Sequence, residues 1–217
     1  MSGVFCHQVV YKTDDGVAHS EGLAILSHLP IINSKAIPYT NVSEKETSEI
    51  SVKDLPEHNT DKGYINKQHY RKLLVAVIEN EGEKLNISTT HFTWAYYGHF
   101  DKENKKFIWK IDEGTVNEQT EDAKRLFDIF DTFPDIVFCA DLNAPRGEKI
   151  FDMFAHKLKD NIPEQYKRSI DENIHRLKAP LPLMIDGVFT TKEYEVSNVI
   201  LKNGISDHMA VVCELSK

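Results

Sequence analysis

Short apolar runs dominate the chain, most of them alternating with period two and bounded by Gly, Pro, Asn, Asp or Ser. Val4–Tyr11 alternates and is rich in β-branched and aromatic residues, which predicts a strand. The run GLAILS, Gly22–Ser27, is continuously apolar and predicts a buried strand. Lys72–Ile78 and Leu85–Thr90 predict an antiparallel pair, with Glu81 and Gly82 in the turn because Gly tolerates positive φ. Ile136–Ala140, Leu183–Phe189, Val196–Leu201 and Met209–Leu215 complete the predicted strands. Two segments switch to the helical period. Ala123, Leu126, Phe127 and Phe130 fall at i, i+3, i+4 and i+7 behind Thr115-x-x-Glu118, the pattern of a capping box, and Pro134 ends the run. Phe151, Phe154, Ala155 and Leu158 mark the apolar face of a second helix from roughly Gly147 to Lys159. Ser43–Lys62 is polar and predicts a solvated loop or the border of a substrate groove. No repeat, low-complexity tract or linker interrupts the pattern, so one domain over residues 1–217 is expected.

Composition narrows the class. Hydrophobic residues are 41% and charged residues 28%, so the chain can bury a core and is not disordered overall. The net charge of -8 argues against broad binding to nucleic acid or anionic membranes, which needs a basic face. It leaves room for a small basic groove or a metal that supplies positive charge. No apolar run is long enough to span a bilayer, and Met1–Lys12 lacks the pattern of a signal peptide. The three cysteines, Cys6, Cys139 and Cys213, sit in apolar runs without CxxC spacing, as small buried hydrophobes of a reducing compartment do. A cytoplasmic, monomeric protein without stable membrane association is the expectation.

Polar clusters stand at the ends of several apolar runs. Thr89-Thr90-His91 follows LNIS, Asp141-Leu142-Asn143-Ala144-Pro145-Arg146-Gly147 follows IVFCA, and Ser206-Asp207-His208 precedes MAVVCEL. Asp186 lies inside the apolar run LPLMIDGVF. Carboxylates and histidines at such places are costly unless paired or bound to metal. Phosphoester hydrolysis with a divalent metal explains the set. Mg²⁺ takes oxygen ligands and one or two carboxylates, and Asp207 suits it. Asp141 and Asn143 point the same way from an extended chain and can orient and deprotonate a water. A histidine beside phosphate acts best as imidazolium, and Asp186 can hold the ring of His208 in one tautomer. Each residue also has a plainer reading. Asp141-x-Asn143 before Pro145 suits a turn, Asp207-His208 a strand-entry cap, and His91 a hydrogen-bonded interior histidine.

GLAILSHLPI, TTHF, ADLNAPRG, IDGVF and ISDHMAV occur in that order, and the set resembles the endonuclease/exonuclease/phosphatase superfamily, the DNase-I-like fold. The resemblance runs from about Val4 to Leu215. It implies a four-layer α/β sandwich of two facing, mostly antiparallel sheets with flanking helices. It also implies a Mg²⁺- or Mn²⁺-dependent phosphoesterase, with a nuclease as the leading reading. A phosphatase or phospholipase on a small or lipid phosphoester is the alternative, and an inactive phosphate-binding module is a third. The resemblance implies Asp141 as the acid/base that activates water and Asn143 as the orienter of water and phosphate. It implies His208 at the scissile phosphate, Asp186 as its partner and His91 as a second phosphate-side histidine. Asp207 is implied as a metal ligand, supported by Asp141 and Asn143.

The sequence departs from the family at its start. The family opens with a strand carrying Asn, a helix, and a strand ending in a Gln-Glu pair whose Glu binds metal; no such pair precedes GLAILS here. Relative to the family the chain reads as N-terminally truncated. Fewer carboxylates then imply weak Mg²⁺ binding, and Glu21 is the first candidate to replace the missing ligand. Substrate specificity is expected in the loops Ser43–Tyr70, Ala95–Asn117 and Asn161–Pro180. Lys167, Arg168, His175, Arg176 and Lys178 could grip a phosphodiester, and Phe92, Trp94, Tyr96 and Tyr97 could stack a base.

Overall fold

The computed structural model describes residues 1–12, 18–40, 71–101, 103–104, 106–175 and 182–217. The polar segment Ser43–Lys62, the whole of the loop Ser43–Tyr70, Arg176, Lys178 and the side chains of Glu21, Tyr96 and Tyr97 lie outside what is described. The described residues form twelve strands and two helices and fall into two compact units.

The first unit comprises Met1–Lys84 and Ser88–Thr90. Strands β1 (Ser2–Lys12) and β2 (Ala18–Ser27) form an antiparallel hairpin with a register shift between His7 and Val9. Leu23 and Ile25 point inward while Leu26 is 65% exposed, so GLAILS alternates and is half-buried rather than buried throughout. β3 (Ile31–Pro38) pairs antiparallel with β4 (Lys72–Asn80). The sequence pattern did not predict β3, because nearly all its residues face solvent and Ile31 to Pro38 never alternates cleanly. β4 is the apolar strand of this unit, with Leu73, Leu74, Val75 and Ala76 buried. It adjoins β5 (Glu83–His91), which contributes Ser88–Thr90 here. Glu81 and Gly82 form the turn with φ of 51° and 88°, the double positive φ that a two-residue hairpin turn requires. Thr90 closes the unit's interior: its hydroxyl donates to Lys72 O at 2.7 Å and lies 2.8 Å from the Tyr39 hydroxyl.

The second unit comprises Leu85–Ile87 and His91–Lys217. β6 (Tyr96–Asp101) and β7 (Lys106–Ile111) form an antiparallel hairpin inside the segment expected as loop, Ala95–Asn117. The first helix, α1 (Glu113–Phe130), buries Ala123, Leu126 and Phe130 as its spacing predicts. Its cap differs from the predicted one. Asp112 is the N-cap and accepts from Thr115 N at 3.1 Å, so Thr115 lies inside the helix. β8 (Val137–Asp141), the second helix α2 (Lys149–Lys157), β9 (Lys159–Asp160) and β10 (Asp186–Thr190) follow. The strand order here is β5-β8-β10-β9. β11 (Glu195–Lys202) and β12 (Ala210–Ser216) form a further antiparallel hairpin.

An aromatic core fixes β8 and β10. Phe138, Phe154 and Phe189 stack or tilt against one another at 5.2–6.0 Å between ring centroids, with Phe130 and Phe151 beside them. Phe189 lies across Gly187, where any Cβ would come within 2.0 Å of the ring, which accounts for the glycine in IDGVF. Facing residues on the two strands are Phe189 with Phe138, Val188 with Cys139 and Asp186 with Asp141. The apolar register thus brings two carboxylates opposite each other at the end of the ladder. Cys6 is buried and Cys139 and Cys213 are half-buried; burial pushes the Cys139 thiol up to about 12, which suits a packing role.

Candidate active site

The ends of β5, β8, β10 and the approach to β12 meet within the second unit. Asp141 ends β8 and Asp186 begins β10, directly opposite each other. Like charges in that position repel, so the pair needs a cation between or beside it. His208 supplies one: its Nδ1 donates to Asp186 Oδ2 at 2.8 Å. This hydrogen bond from Asp186 raises the His208 pKa to about 9, against the opposing effect of burial. The charges of Asp186, Asp141 and Asp207 act in the same raising direction.

Asn143 is held by three contacts. Its backbone N–H donates to Asp141 Oδ1 at 2.8 Å, and the residue takes φ 49°, which Asn tolerates. Its Nδ2 donates to Phe92 O at 2.7 Å and lies 2.8 Å from His91 Nε2. The carbonyl of Phe92 can only accept, so the amide nitrogen must face it and the amide cannot be flipped. With the amide so placed, His91 Nε2 accepts from Asn143 Nδ2 in the tautomer that carries its proton on Nδ1. His91 Nε2 also approaches Asp141 Oδ2 at 3.5 Å. The tight turn from Asp141 to Gly147 is anchored by buried Leu142 and Ala144, and by Arg146, whose Nη2 donates to Asp160 Oδ2 at 2.7 Å.

Asp141, Asp186, His208, Asn143 and His91 thus meet in one place. Asp207, adjacent in sequence to His208, is exposed, and its carbonyl accepts from Asp171 N at 2.8 Å. Ligand atoms of Asp141, Asp186 and His208 lie within 4.8 Å of one another, and Asp207 is not in that group. Two facing carboxylates fit a hard divalent cation, which takes one or two carboxylates and fills its remaining positions with water and phosphate. Asp186 is the hydrogen-bond partner of His208 that the sequence suggested, and it also lies beside Asp141. Arg168 is engaged by Glu172 through two hydrogen bonds of 2.7 and 3.2 Å, while Lys167 is exposed and the His175 ring lies 6.4 Å from that of His208. Phe92 is 1% exposed and packs edge-on against Phe154, so it belongs to the core and cannot stack a base. Sequence reasoning missed Ser169 and Asp171, which are buried in a segment read as a basic loop. Their only signal was a Ser-Ile-Asp triplet with one apolar residue.

A titration checks the His208 geometry. In metal-free protein the His208 ring should titrate near the value of about 9, and Asp186→Asn should return it toward the ordinary 6.5, roughly. Because the folded value is raised, the pair's stabilisation is fully present below about pH 6.5 and lost as pH rises through about 9. Histidine ring resonances followed by NMR from pH 5 to 10, roughly the span of the two values, measure this directly. A wild-type value near 6.5, roughly the unperturbed one, would contradict it.

No family model and no curated protein matches the sequence. Solved structures do match in fold. An endonuclease/exonuclease/phosphatase from Beutenbergia cavernae aligns over 98% of this chain and 53% of its own, with 17% identity and a TM-score of 0.58. The human nocturnin catalytic domain with bound sulfate aligns over 99% of this chain and 72% of its own, at 17% identity and a TM-score of 0.57. A mannosyl-6-phosphatase from Bacteroides thetaiotaomicron aligns over 99% and 77%, at 13% identity and a TM-score of 0.54. The chain spans about half the length of the first of these. With strands 3-4-5 and 5-8-10-9 hydrogen-bonded in that order, two helices and the strand-end cluster, the chain has the DNase-I-like α/β fold of endonuclease/exonuclease/phosphatase proteins.

Proposed function

We propose that this chain is a divalent-metal-dependent phosphoesterase that hydrolyses a phosphodiester, with nucleic acid as the leading substrate class. The observation that carries the reading is the Asp186–His208 hydrogen bond opposite Asp141, at the mutual end of β8 and β10. It sets an imidazolium, a carboxylate and an oriented amide around one small volume.

Asp141 and Asp186 would hold Mg²⁺ or Mn²⁺, in keeping with their mutual approach. The bound metal would stabilise charge on the phosphoryl oxygens as a Lewis acid. Asp141 takes the proton of the attacking water as its oxygen bonds to phosphorus. Asn143, fixed by Phe92 and His91, orients that water or a nonbridging oxygen. His208, kept charged by Asp186, donates from Nε2 to a nonbridging oxygen as negative charge develops there. The bond from phosphorus to the leaving oxygen breaks, and that oxygen takes up a proton from solvent as it departs, while Asp141 releases its proton to solvent. His91 contributes as a hydrogen-bond partner of Asn143.

Substrate selection would fall to the surface beside the site. A cavity of about 420 Å³ is lined in part by Tyr166, Lys167, Arg168 and by Met209, the residue after His208, and its cations would suit a phosphorylated arm. The phosphomonoester reading has one specific support, the shared fold with the mannosyl-6-phosphatase. Hydrolysis rates for a single-stranded oligonucleotide, a generic phosphodiester and a sugar 6-phosphate, compared under Mg²⁺ and Mn²⁺, separate these readings. Faster turnover of the oligonucleotide is expected; exclusive turnover of the monoester would replace the leading reading.

A further inference from the structure

Asp186 and His208 come from distant parts of the chain, yet both hang on one three-residue segment. β9 pairs with β10 only at Phe189 and Thr190, so the start of β10 finds its partners elsewhere. Ser169 Oγ accepts from the N–H of Ile185 and from the N–H of Asp186, each at 3.1 Å. Ser169 N–H donates to Leu183 O at 2.9 Å. On its other side the same segment grips the approach to β12. Met209 N–H donates to Ser169 O, Ile170 bridges His208 in antiparallel fashion, and Asp171 N–H donates to Asp207 O at 2.8 Å.

Side chains reinforce this strut. Asp171 is 1% exposed, and its Oδ2 accepts from Gly204 N–H at 2.7 Å while Oδ1 accepts from Asn173 N–H at 3.0 Å. It thereby ties down the turn that leads through Ser206 into His208. Ser169 is wholly buried and Ile170 is 1% exposed. The buried Ser169 hydroxyl, which also lies 3.5 Å from Leu183 O, is wholly engaged with the backbone, and a buried carboxylate accepting backbone N–H groups holds a loop in one conformation.

We infer that Ser169 and Asp171 are positioning residues: together they set the distance and angle at which Asp186 meets His208. The inference rests on the phosphoesterase reading for its consequence in turnover, but not for the geometry. Ser169 fixes the carboxylate side through the Asp186 amide, and Asp171 fixes the imidazole side through the Gly204 amide and the Asp207 carbonyl. Neither touches substrate. Loosening either strut end lengthens the hydrogen bond and lets the ring rotate. A displacement of about 1 Å at a reacting group can cost on the order of 10²-fold in rate.

The test uses the whole chain, metal-free and without substrate, so that it does not depend on activity. Long-range ¹H–¹⁵N correlation of the His208 ring reports whether Nδ1–H is hydrogen-bonded. Ser169→Ala and Asp171→Asn should each lose the hydrogen-bonded Nδ1 signature, and Ser169→Thr, which keeps the hydroxyl, should restore it. Asp171→Asn carries the test if Ser169→Ala does not fold. In turnover, kcat should fall about tenfold or more with KM little changed, because binding groups are untouched. A wild-type His208 without the hydrogen-bonded signature would overturn the inference, as would variants that keep it unchanged. Loss of the signature in protein that hydrolyses no phosphoester would leave the positioning role standing and sink the phosphoesterase reading alone.

Discussion

Replacing Asp141 with Asn should lower phosphoester turnover by about 10²- to 10⁴-fold, the range of a lost general base, while the protein stays folded. Asn matches Asp in size, and its oxygen can still accept the Asn143 N–H that Asp141 Oδ1 now accepts at 2.8 Å. The turn from Asp141 to Gly147, with buried Leu142 and Ala144, should therefore survive. What disappears is the negative charge that would take the water's proton and help to hold a cation with Asp186. The substitution relieves the repulsion between facing carboxylates but also removes a charge that favours the His208 imidazolium, so thermal stability without metal should change little. Turnover and melting temperature measured together decide it. A fall in both would mean that Asp141 acts through the fold, and unchanged turnover would remove it from the chemistry.

The second large effect is on stability. Asp135, just before β8, is 5% exposed and accepts from Lys217 Nζ at 2.8 Å, from Asn86 Nδ2 at 3.1 Å and from the Tyr194 hydroxyl. Burial alone would push its carboxyl up, but the hydrogen bonds from Lys217, Tyr194 and Asn86 hold it below the ordinary value. Asp135→Ala leaves three donors facing an empty space, one of them cationic. The expected cost is about 3 kcal/mol, the low end for breaking a buried ion pair, because Lys217 retains part of its water. Urea unfolding measures it. The depressed carboxyl also means that this stabilisation is present above the unfolded carboxyl pKa and lost as pH falls through the folded one. A cost under about 1 kcal/mol, as for an exposed pair, would contradict the account.

Most of the strands that build the site were legible because each carries enough apolar alternation to show its buried face. β8 and β10 stand out for that reason, and their ends could be read as sites because Asp141 and Asp186 break apolar runs. α1 was legible from Ala123, Leu126 and Phe130, although its cap was not, since Asp112 and Thr115 are both good capping residues. β3 escaped because an exposed edge strand buries almost nothing and leaves no periodic mark. β9, with two residues, is too short to carry a pattern. The facing of Asp141 and Asp186 was unreadable for a different reason. Asp186 lies inside an apolar run in sequence, and only the β8–β10 register puts it opposite Asp141. The same holds for Ser169 and Asp171, whose side-chain partners Leu183 and Gly204 lie 14 and 33 residues away.

The pairing of metal and chemistry is the core of the account, and metal-dependent turnover tests it most directly. Protein stripped with a chelator should hydrolyse a phosphodiester at background rate, and added Mg²⁺ or Mn²⁺ should restore turnover in the wild type but not in Asp141→Asn. Turnover that persists without metal and is indifferent to Asp141 would contradict the account, as would metal-loaded protein that cleaves neither a phosphodiester nor a phosphomonoester.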